Sequence, residues 1–385
     1  MKEGKIYYWA ALIVAIGFVY VYAFGIPFVD SSYGYYKISK ETAKSIGPSA
    51  NLQWQNAMKW ARENTSEDSI FVHWWDYGYF VETMGERRAV TDGGHSGGGD
   101  TDHYIGRYIL TTPNPLTAMS YMKTWSVNYL LVDPTEMGKY GAFSKIGSND
   151  SWDRVSSGIF GGVVDDSQMQ ETKNGVMKVY QLGGCVDSDI SYKDENVSIF
   201  LPGITISKTQ QMQCNSYILG MIVEFEDNGS SIKQPEGVFK YRDKQYRIPL
   251  KNVFVNGEMK SFESGVDSVV YFIPRVDNAG SLDPLGAMIY LSPRTYNSLM
   301  GKLYILGDPF NEYPLLTEAN FEDDPVVSQV KQMLGNSIGD FIWMNGIRAP
   351  LKIWKVDYDD SIPIYDELKD RSVPFQFGGL DYLFE

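Results

Sequence analysis

The first 28 residues contain a long apolar run without a charge. Residues 6–28 read IYYWAALIVAIGFVYVYAFGIPF, and Lys2 and Lys5 come just before them. About twenty apolar residues cross a hydrocarbon core of about 30 Å, and aromatic residues at both ends are typical of membrane interfaces. A signal peptide has a shorter apolar core and a small-residue cleavage site. We therefore predict a retained transmembrane helix over residues 1–28, with its lysines cytoplasmic and the remaining chain on the extracellular side of the cell membrane.

After a predicted linker over residues 29–50, the pattern alternates between helical and strand spacing. Apolar residues at helical spacing predict a helix over 51–64. The stretches SIFVHW, RRAV and VNYLLVD are typical of buried strands. YFVETMG is predicted to be a short helix that ends near Gly85. We therefore predict an α/β core domain, of mixed α+β type, over residues 51–175.

The pattern becomes β-rich over residues 176–284. Short runs such as VMKVYQL, SYILGMIVEFED and SVVYFIP are separated by Gly, Asn and Asp, which is typical of an antiparallel sandwich or barrel. Residues 285–385 return to a mixed α/β pattern and are predicted to pack on the core domain. They include a helix capped by Asp324 with Pro325 in its first turn, and a late strand in APLKIWKVDY.

Charge and composition exclude several classes of function. The chain has 385 residues and a formal net charge of −14, whereas nucleic-acid binders carry clustered Lys and Arg. We therefore predict no nucleic-acid partner. No Gly-x-Ser-x-Gly motif or zinc-type histidine spacing supports a hydrolase. Cys185 and Cys214 form either one disulfide in an oxidising compartment or two buried thiols, and the sequence favours neither.

Trp74, Trp75 and Asp76 stand side by side where the first predicted strand ends. A hydroxyl group has one donor and two acceptor lone pairs, so two indole N–H groups and one carboxylate would saturate it. These three side chains could therefore recognise a serine or threonine. The alternative is a tryptophan pair in the core with Asp76 capping the next helix. Both interpretations remain open from the residues alone.

The stretch WWDYG at the end of a strand, after a membrane span, resembles the signature of the oligosaccharyltransferase catalytic subunit family. The archaeal members look most similar. In that family the motif binds the Ser or Thr at the +2 position of the Asn-X-Ser/Thr acceptor. The resemblance implies that Trp74, Trp75 and Asp76 contact the hydroxyl, while Tyr77 and Gly78 shape the turn.

The family has a second, looser motif on a helix near the first motif. One version pairs Asp with Met and then Lys-Ile, which implies Met137, Lys145 and Ile146 as acceptor-binding residues, although the Asp–Met spacing is one residue too long. The other version, Asp-x-x-Lys, implies Lys139 with Glu136 in the Asp position. We rank Met137, Lys145 and Ile146 above Lys139. An ordinary amphipathic helix is the alternative to both versions.

The Gly-rich stretch VTDGGHSGGGDTDH follows the second predicted strand. Family members often have a similar turn there, followed by a basic residue near the lipid pyrophosphate. The resemblance implies that His95, His103 and Arg107 bind the lipid phosphate, and glycines let backbone N–H groups approach an anion. The alternatives are a mobile loop and a metal site. The candidate metal ligands are Asp92, His95, Asp100, Asp102 and His103.

Complete members of the family are large multi-span proteins. Acidic residues on their external loops bind a divalent cation, Mn or Mg, and activate the acceptor amide. The resemblance implies that this chain corresponds to the last transmembrane helix and the external C-terminal domain, without catalytic residues or metal ligands of its own. The chain alone is therefore predicted to be inactive.

The implied function is acceptor recognition during transfer of a dolichol-linked oligosaccharide to Asn. The implied partners are the acceptor polypeptide, the lipid-linked oligosaccharide, the membrane and the multi-span catalytic portion of the enzyme. Holding the acceptor Asn in line would contribute to catalysis by positioning alone. The alternative is a membrane-anchored external binding or surface-layer protein without catalysis, which leaves the WWDYG stretch unexplained.

Overall fold

The fold is known here from a computed structural model, which divides the chain into two compact units. The units are residues 1–52 and residues 53–385. The residues that the structure describes are 2–24, 35–46, 50–95, 99–194, 197–226, 231–277, 279–335 and 339–369.

The first unit contains the helices α1 (Lys2–Phe24) and α2 (Tyr35–Ile46). Large apolar side chains of α1, such as Ile13 and Phe18, are exposed. Within the described part of the chain, no helix combines the length and apolarity that crossing a bilayer requires. The predicted span is therefore not confirmed, and its residues 1 and 25–28 lie outside the described residues. Helix α2 lies in the predicted linker, of which residues 29–34 and 47–49 are also outside the described residues.

The second unit contains the four sheets of the described residues and most of the helices. Its helices are α3 (Leu52–Asn64, which begins at the end of the first unit), α4 (Gly78–Thr83), α5 (Gly99–Tyr104), α6 (Pro115–Thr124), α7 (Glu136–Ile146), α8 (Pro293–Tyr296) and α9 (Pro325–Leu334). Its strands are β1 (Ile70–Val72), β2 (Arg88–Ala89), β3 (Tyr129–Val132), β4 (Phe160–Val164), β5 (Gln170–Glu171), β6 (Gly175–Cys185), β7 (Ile190–Lys193), β8 (Ser198–Leu201), β9 (Thr205–Ile206), β10 (Met212–Gln213), β11 (Ser216–Glu226), β12 (Ser231–Ile232), β13 (Glu236–Tyr241), β14 (Lys244–Val255), β15 (Glu258–Ser261), β16 (Val266–Val276), β17 (Leu282–Leu291), β18 (Leu316–Glu322), β19 (Ile342–Trp343), β20 (Ile347–Arg348) and β21 (Leu351–Val356).

The core domain is built on a five-stranded sheet in the order β18-β21-β3-β1-β2. Strands β1, β2 and β3 are parallel, as strands joined by helices usually are. The last two strands come from the C-terminal region and are antiparallel: β21 pairs with β3, and β18 pairs with β21. Residues of the predicted C-terminal segment therefore complete the core sheet.

The β-rich part is a barrel. Strands β14, β13, β11, β6, β4, β17 and β16 follow one another, and a parallel pairing of β14 with β16 closes the ring. Closure removes exposed strand edges. The ring includes β4 and all of β17, so it extends beyond the predicted range 176–284 on both sides. Strand β4, FGGVV, was difficult to predict because its two glycines weaken the strand pattern.

Apolar side chains from many strands fill the hydrophobic core of the barrel. Large members of this core are Tyr180, Met221, Phe225, Phe239 and Phe272. Phe225 and Phe272 meet edge to face at 5.1 Å between ring centroids. Side chains of this size can fill the interior of a small barrel, and these are buried together in one hydrophobic core.

A disulfide joins Cys185 at the end of β6 to Cys214 just before β11. The Cα atoms lie 5.5 Å apart, and the bond closes an excursion that contains the two hairpins β7–β8 and β9–β10. Of the two possibilities that the sequence left open, the structure therefore has the disulfide.

We expect the variant Cys185→Ala/Cys214→Ala to lose about 3–4 kcal/mol of its free energy of unfolding. The reason is that the bond closes a loop with a sequence separation of 29 residues, and such a constraint removes that much entropy from the unfolded chain. Urea unfolding of both proteins measures the difference. Reductant should destabilise the wild type and leave the double variant unchanged. Equal sensitivity of the two proteins would contradict the pairing.

Candidate functional site

Three loops meet at one edge of the core sheet. They follow β1, β2 and β3, and the carboxyl ends of parallel strands lie at the same edge. The first loop carries residues 73–77, the second carries residues 90–95, and the third leads from Asp133 into α7. The WWDYG stretch, the glycine turn and the candidate second motif therefore converge.

The two tryptophans differ in burial. Trp74 is 2% exposed and packs against Phe143 of α7, with 5.6 Å between ring centroids. Trp75 is half-buried, and its ring lies 5.0 Å from that of His95. Within the described part of the chain, neither indole N–H group has a hydrogen-bond partner. Two donors are therefore available at the edge of the sheet.

Asp76 is held by Lys139 of α7. The Lys139 ammonium donates to Asp76 Oδ2 at 2.5 Å and to the Tyr77 hydroxyl at 2.9 Å. It also lies 4.5 Å from the centre of the Tyr77 ring, which is a favourable cation–π distance. Both members of the ion pair are partly exposed, with 34% of the lysine side chain and 23% of the aspartate side chain accessible. Among the described residues, Asp76 Oδ1 has no partner and remains an available acceptor.

A buried carboxylate below this pair joins three elements. Asp133 Oδ2 accepts a hydrogen bond from Trp54 Nε1 of α3 at 2.7 Å. Asp133 Oδ1 accepts from the Tyr77 hydroxyl at 3.1 Å and from the Thr135 amide at 2.8 Å. Hydrogen bonds to a charged acceptor are stronger than neutral ones. Asp133 therefore fixes the motif turn against both α3 and the start of α7.

Two buried titratable groups contact the backbone of Trp74. Its amide donates to Glu136 Oε1 at 3.4 Å, and its carbonyl lies 2.8 Å from His73 Nδ1. Burial raises the pKa of Glu136, and the nearby charge of Asp133 raises it further. Burial also lowers the pKa of His73 to about 4. Both groups are therefore biased towards their neutral forms, as burial in an apolar setting requires.

The structure places the predicted second-motif residues in different surroundings. Met137 is buried in α7, and Lys139 contacts the motif as described. Lys145 instead donates to the Gln210 carbonyl at 3.1 Å. The Ile146 side chain is exposed, and its carbonyl accepts from His103. Of the two candidate lysines, the structure therefore brings only Lys139 to Asp76 and Tyr77.

The predicted phosphate-binding residues also differ in their surroundings. His95 Nδ1 lies 2.6 Å from Asp102 Oδ2, and 47% of the histidine side chain is exposed beside Trp75. His103 and Arg107 are buried. His103 contacts the Ile146 carbonyl, and Arg107 forms a two-point contact with Asp153 at 3.0 and 3.1 Å. Only His95 of the three is thus accessible at the site edge.

The candidate metal ligands of the glycine turn do not converge in the part of the chain that the structure describes. Among those residues, no three His, Cys, Asp or Glu side chains are placed to hold a metal ion. Asp102 is occupied by His95 and by the Thr91 hydroxyl, which donates to it at 2.9 Å. Residues 96–98 of the turn lie outside the described residues.

Several site residues carry little signal in the sequence. Trp54 reads as an ordinary helix residue, and Asp133 as the residue after a strand, yet they meet across 79 positions. His73 lies inside a predicted strand. A polar residue at the carboxyl end of a buried parallel strand is a usable signal for Asp133, but nothing local predicts its partner.

Residues 67–173 match the family described as the STT3/PglB/AglB core domain. Dolichyl-phosphooligosaccharide-protein glycotransferase 1 of Pyrococcus furiosus is 40% identical over 96 residues, which are 24% of this chain and 10% of the relative. The protein of the same name from Pyrococcus horikoshii is 35% identical over 96 residues, 24% of this chain and 9% of the relative. The aligned segments thus span about a tenth of these relatives. A solved C-terminal domain of PglB from C. jejuni aligns over 79% of this chain and 100% of its own, with 11% identity and a TM-score of 0.39.

The match of residues 67–173 to the STT3/PglB/AglB core domain, together with the similar archaeal glycotransferases, confirms the resemblance to the oligosaccharyltransferase family drawn from the WWDYG stretch. The matched segment contains the three loops that converge at the sheet edge, from Trp74 to the end of α7.

We expect Gly78→Ala to destabilise the protein by about 1–3 kcal/mol, because overpacking a close contact costs this much. A Cβ atom at Gly78 would lie 2.4 Å from Asp92 Cα and 2.5 Å from the Thr91 carbonyl oxygen. Gly138→Ala is the matched control, since a Cβ atom there meets nothing within 4 Å. The control should be neutral or stabilising by about 0.5–1 kcal/mol. Thermal unfolding compares the two, and equal effects would contradict the close approach at Gly78.

Proposed function

We propose that this chain is the C-terminal part of an oligosaccharyltransferase and recognises the +2 Ser or Thr of Asn-X-Ser/Thr acceptors. One observation carries the proposal. Three consecutive residues of a matched core domain present two unpartnered indole donors, on Trp74 and Trp75, and one available carboxylate oxygen, on Asp76. This donor and acceptor set matches the hydrogen-bonding capacity of one hydroxyl group.

The recognition chemistry follows from this set. The acceptor hydroxyl donates to Asp76 Oδ1 and accepts from the indole N–H groups. A side chain of the same shape without the hydroxyl would leave these groups desolvated and unpaired, which is the costly alternative. The half-buried Trp75 provides the apolar wall against which the rest of the Ser or Thr side chain packs.

Lys139 orients the carboxylate of Asp76. Its ammonium occupies Oδ2 of Asp76 and thereby leaves Oδ1 as the oxygen that faces a ligand. The same lysine donates to the Tyr77 hydroxyl, which joins α7 to the motif turn. We therefore assign the second-motif lysine to Lys139, and Lys145 to a contact with the Gln210 loop.

The proposed enzyme needs more than this chain. Its donor is a dolichol-linked oligosaccharide, its divalent cation is held by residues outside this chain, and its multi-span portion anchors it in the cell membrane. The transmembrane helix predicted over residues 1–28 belongs to this proposal, with the core domain outside the cell. His95, beside Trp75 at the accessible edge, is the proposed contact for the lipid phosphate. The chain holds the acceptor Asn in line and makes no bond itself.

The alternative is a membrane-anchored binding or surface-layer protein without catalysis. The acidic composition and the barrel suit that function equally well. It offers no reason for the match over residues 67–173 or for available donors beside an available carboxylate. Oligosaccharyltransferase function is therefore preferred.

A peptide containing Asn-X-Thr should bind about 10- to 100-fold more tightly than the same peptide with Val in place of Thr. A hydrogen bond to a charged group contributes about 1.5–3 kcal/mol, and each 1.4 kcal/mol is tenfold in affinity. Asp76→Ala should abolish the preference by weakening only the Thr peptide. Isothermal titration with both peptides measures this. Equal affinities for the wild type would contradict hydroxyl recognition.

The two lysines give a matched pair of variants. Lys139→Met should weaken binding of the Thr peptide about two- to fivefold, because Asp76 loses the contact that orients its available oxygen. Exposed and half-buried ion pairs are worth up to about 1 kcal/mol, and about 1.4 kcal/mol is tenfold in affinity. Lys145→Met should leave the affinity unchanged. Isothermal titration of both variants with the Thr peptide measures the difference. A larger loss of affinity in Lys145→Met than in Lys139→Met would contradict the assignment to Lys139 and support Lys145 as the second-motif lysine.

A further inference from the structure

The peptide groups on both sides of Trp74 are held by buried side chains. The Trp74 carbonyl accepts a hydrogen bond from the Tyr77 amide at 3.2 Å and lies 2.8 Å from His73 Nδ1. The Trp74 amide donates to Glu136. Trp74 has extended backbone angles, φ −68° and ψ 142°, and the helical turn Trp75–Tyr77 starts directly after it. The orientation of this carbonyl therefore determines where the turn points.

The chemistry of this contact fixes the protonation of the imidazole. A carbonyl oxygen only accepts hydrogen bonds, so His73 Nδ1 must carry the proton. His73 is 1% exposed, and burial disfavours a second proton on the ring. Nε2 is consequently an unprotonated acceptor, and it has no partner among the described residues. The single N–H group of this buried ring therefore donates to the Trp74 carbonyl of the motif.

We infer that His73 is a positioning residue of the acceptor site: its Nδ1–H group fixes the Trp74 carbonyl and so aims Trp75 and Asp76 at the acceptor hydroxyl. This inference rests on the proposed function for its effect on binding. The other part of the inference, that one imidazole N–H group orders the turn, does not depend on which ligand binds.

A purely structural role would require only that the ring fill its apolar space. A positioning role requires a donor at the place of Nδ1. Two amide variants separate these requirements. In His73→Asn the amide nitrogen lies two bonds from Cβ, as Nδ1 does. In His73→Gln it lies three bonds from Cβ, as Nε2 does. The Asn variant removes more of the ring volume but keeps the donor, and the Gln variant does the reverse.

The first measurement is the affinity for the Asn-X-Thr peptide. His73→Asn should stay within about threefold of the wild type. His73→Gln should bind about 5- to 10-fold more weakly, which is the fold-change for losing one hydrogen bond of ordinary strength. His73→Leu serves in place of the Gln variant if that variant does not fold. Equal losses in the Asn and Gln variants, or a greater loss in the Asn variant, would overturn the inference.

The second measurement needs no ligand. The Tyr77 amide donates to the same Trp74 carbonyl, so its hydrogen exchange reports the order of the turn. Exchange at Tyr77, followed by mass spectrometry, should be several-fold faster in His73→Gln and unchanged in His73→Asn. Unchanged exchange in both variants would overturn the inference. Failure of the wild type to prefer the Thr peptide, with the expected exchange pattern, would instead overturn only the proposed function.

Discussion

The site depends on the buried carboxylate of Asp133. Trp54, Tyr77 and Thr135 all donate to it, and they come from α3, from the motif turn and from the start of α7. The motif turn has only three residues, and so has the strand β1 before it, so neither fixes the position of the site by its own length. One fully hydrogen-bonded carboxylate gives the three elements a common reference point, whereas the same carboxylate without these donors would carry a large desolvation cost.

The charges of the site are arranged in two layers. Below Trp74, burial favours the neutral forms of His73 and Glu136. At the edge, Asp76 and Lys139 are partly exposed and form an ion pair. The neutral side chains of His73 and Glu136 hold the backbone of Trp74 without adding a charge to the site. The ion pair at the edge leaves one oxygen of Asp76 without a partner among the described residues. Under the proposed function, a ligand hydroxyl would meet a charge that is already oriented, so that little reorganisation would accompany binding.

The sequence predicts the local features of this arrangement and misses the contacts between distant segments. The strand before Trp74, the helix that begins near residue 52 and the β-rich region are all readable from spacing, because burial imposes a period on each element. The choice between Lys139 and Lys145 is not readable, because it depends on which face of α7 meets the turn. The sequence left a disulfide between Cys185 and Cys214 as one of two possibilities, and spacing gave no indication that β4 belongs to the barrel, since pairing partners are set by the tertiary fold.

The C-terminal origin of β21 has a consequence for how the protein is made. β21 pairs with β3, although Leu351 follows Val132 by more than two hundred residues that include the whole barrel. During synthesis the core sheet has an unpaired edge at β3 until nearly all of the chain has emerged. Contacts of such long range form slowly, and open edges invite wrong pairing. All the strands of the barrel ring precede β21 in the sequence. The barrel can therefore fold before β21 is synthesised, and β21 can pair with β3 afterwards.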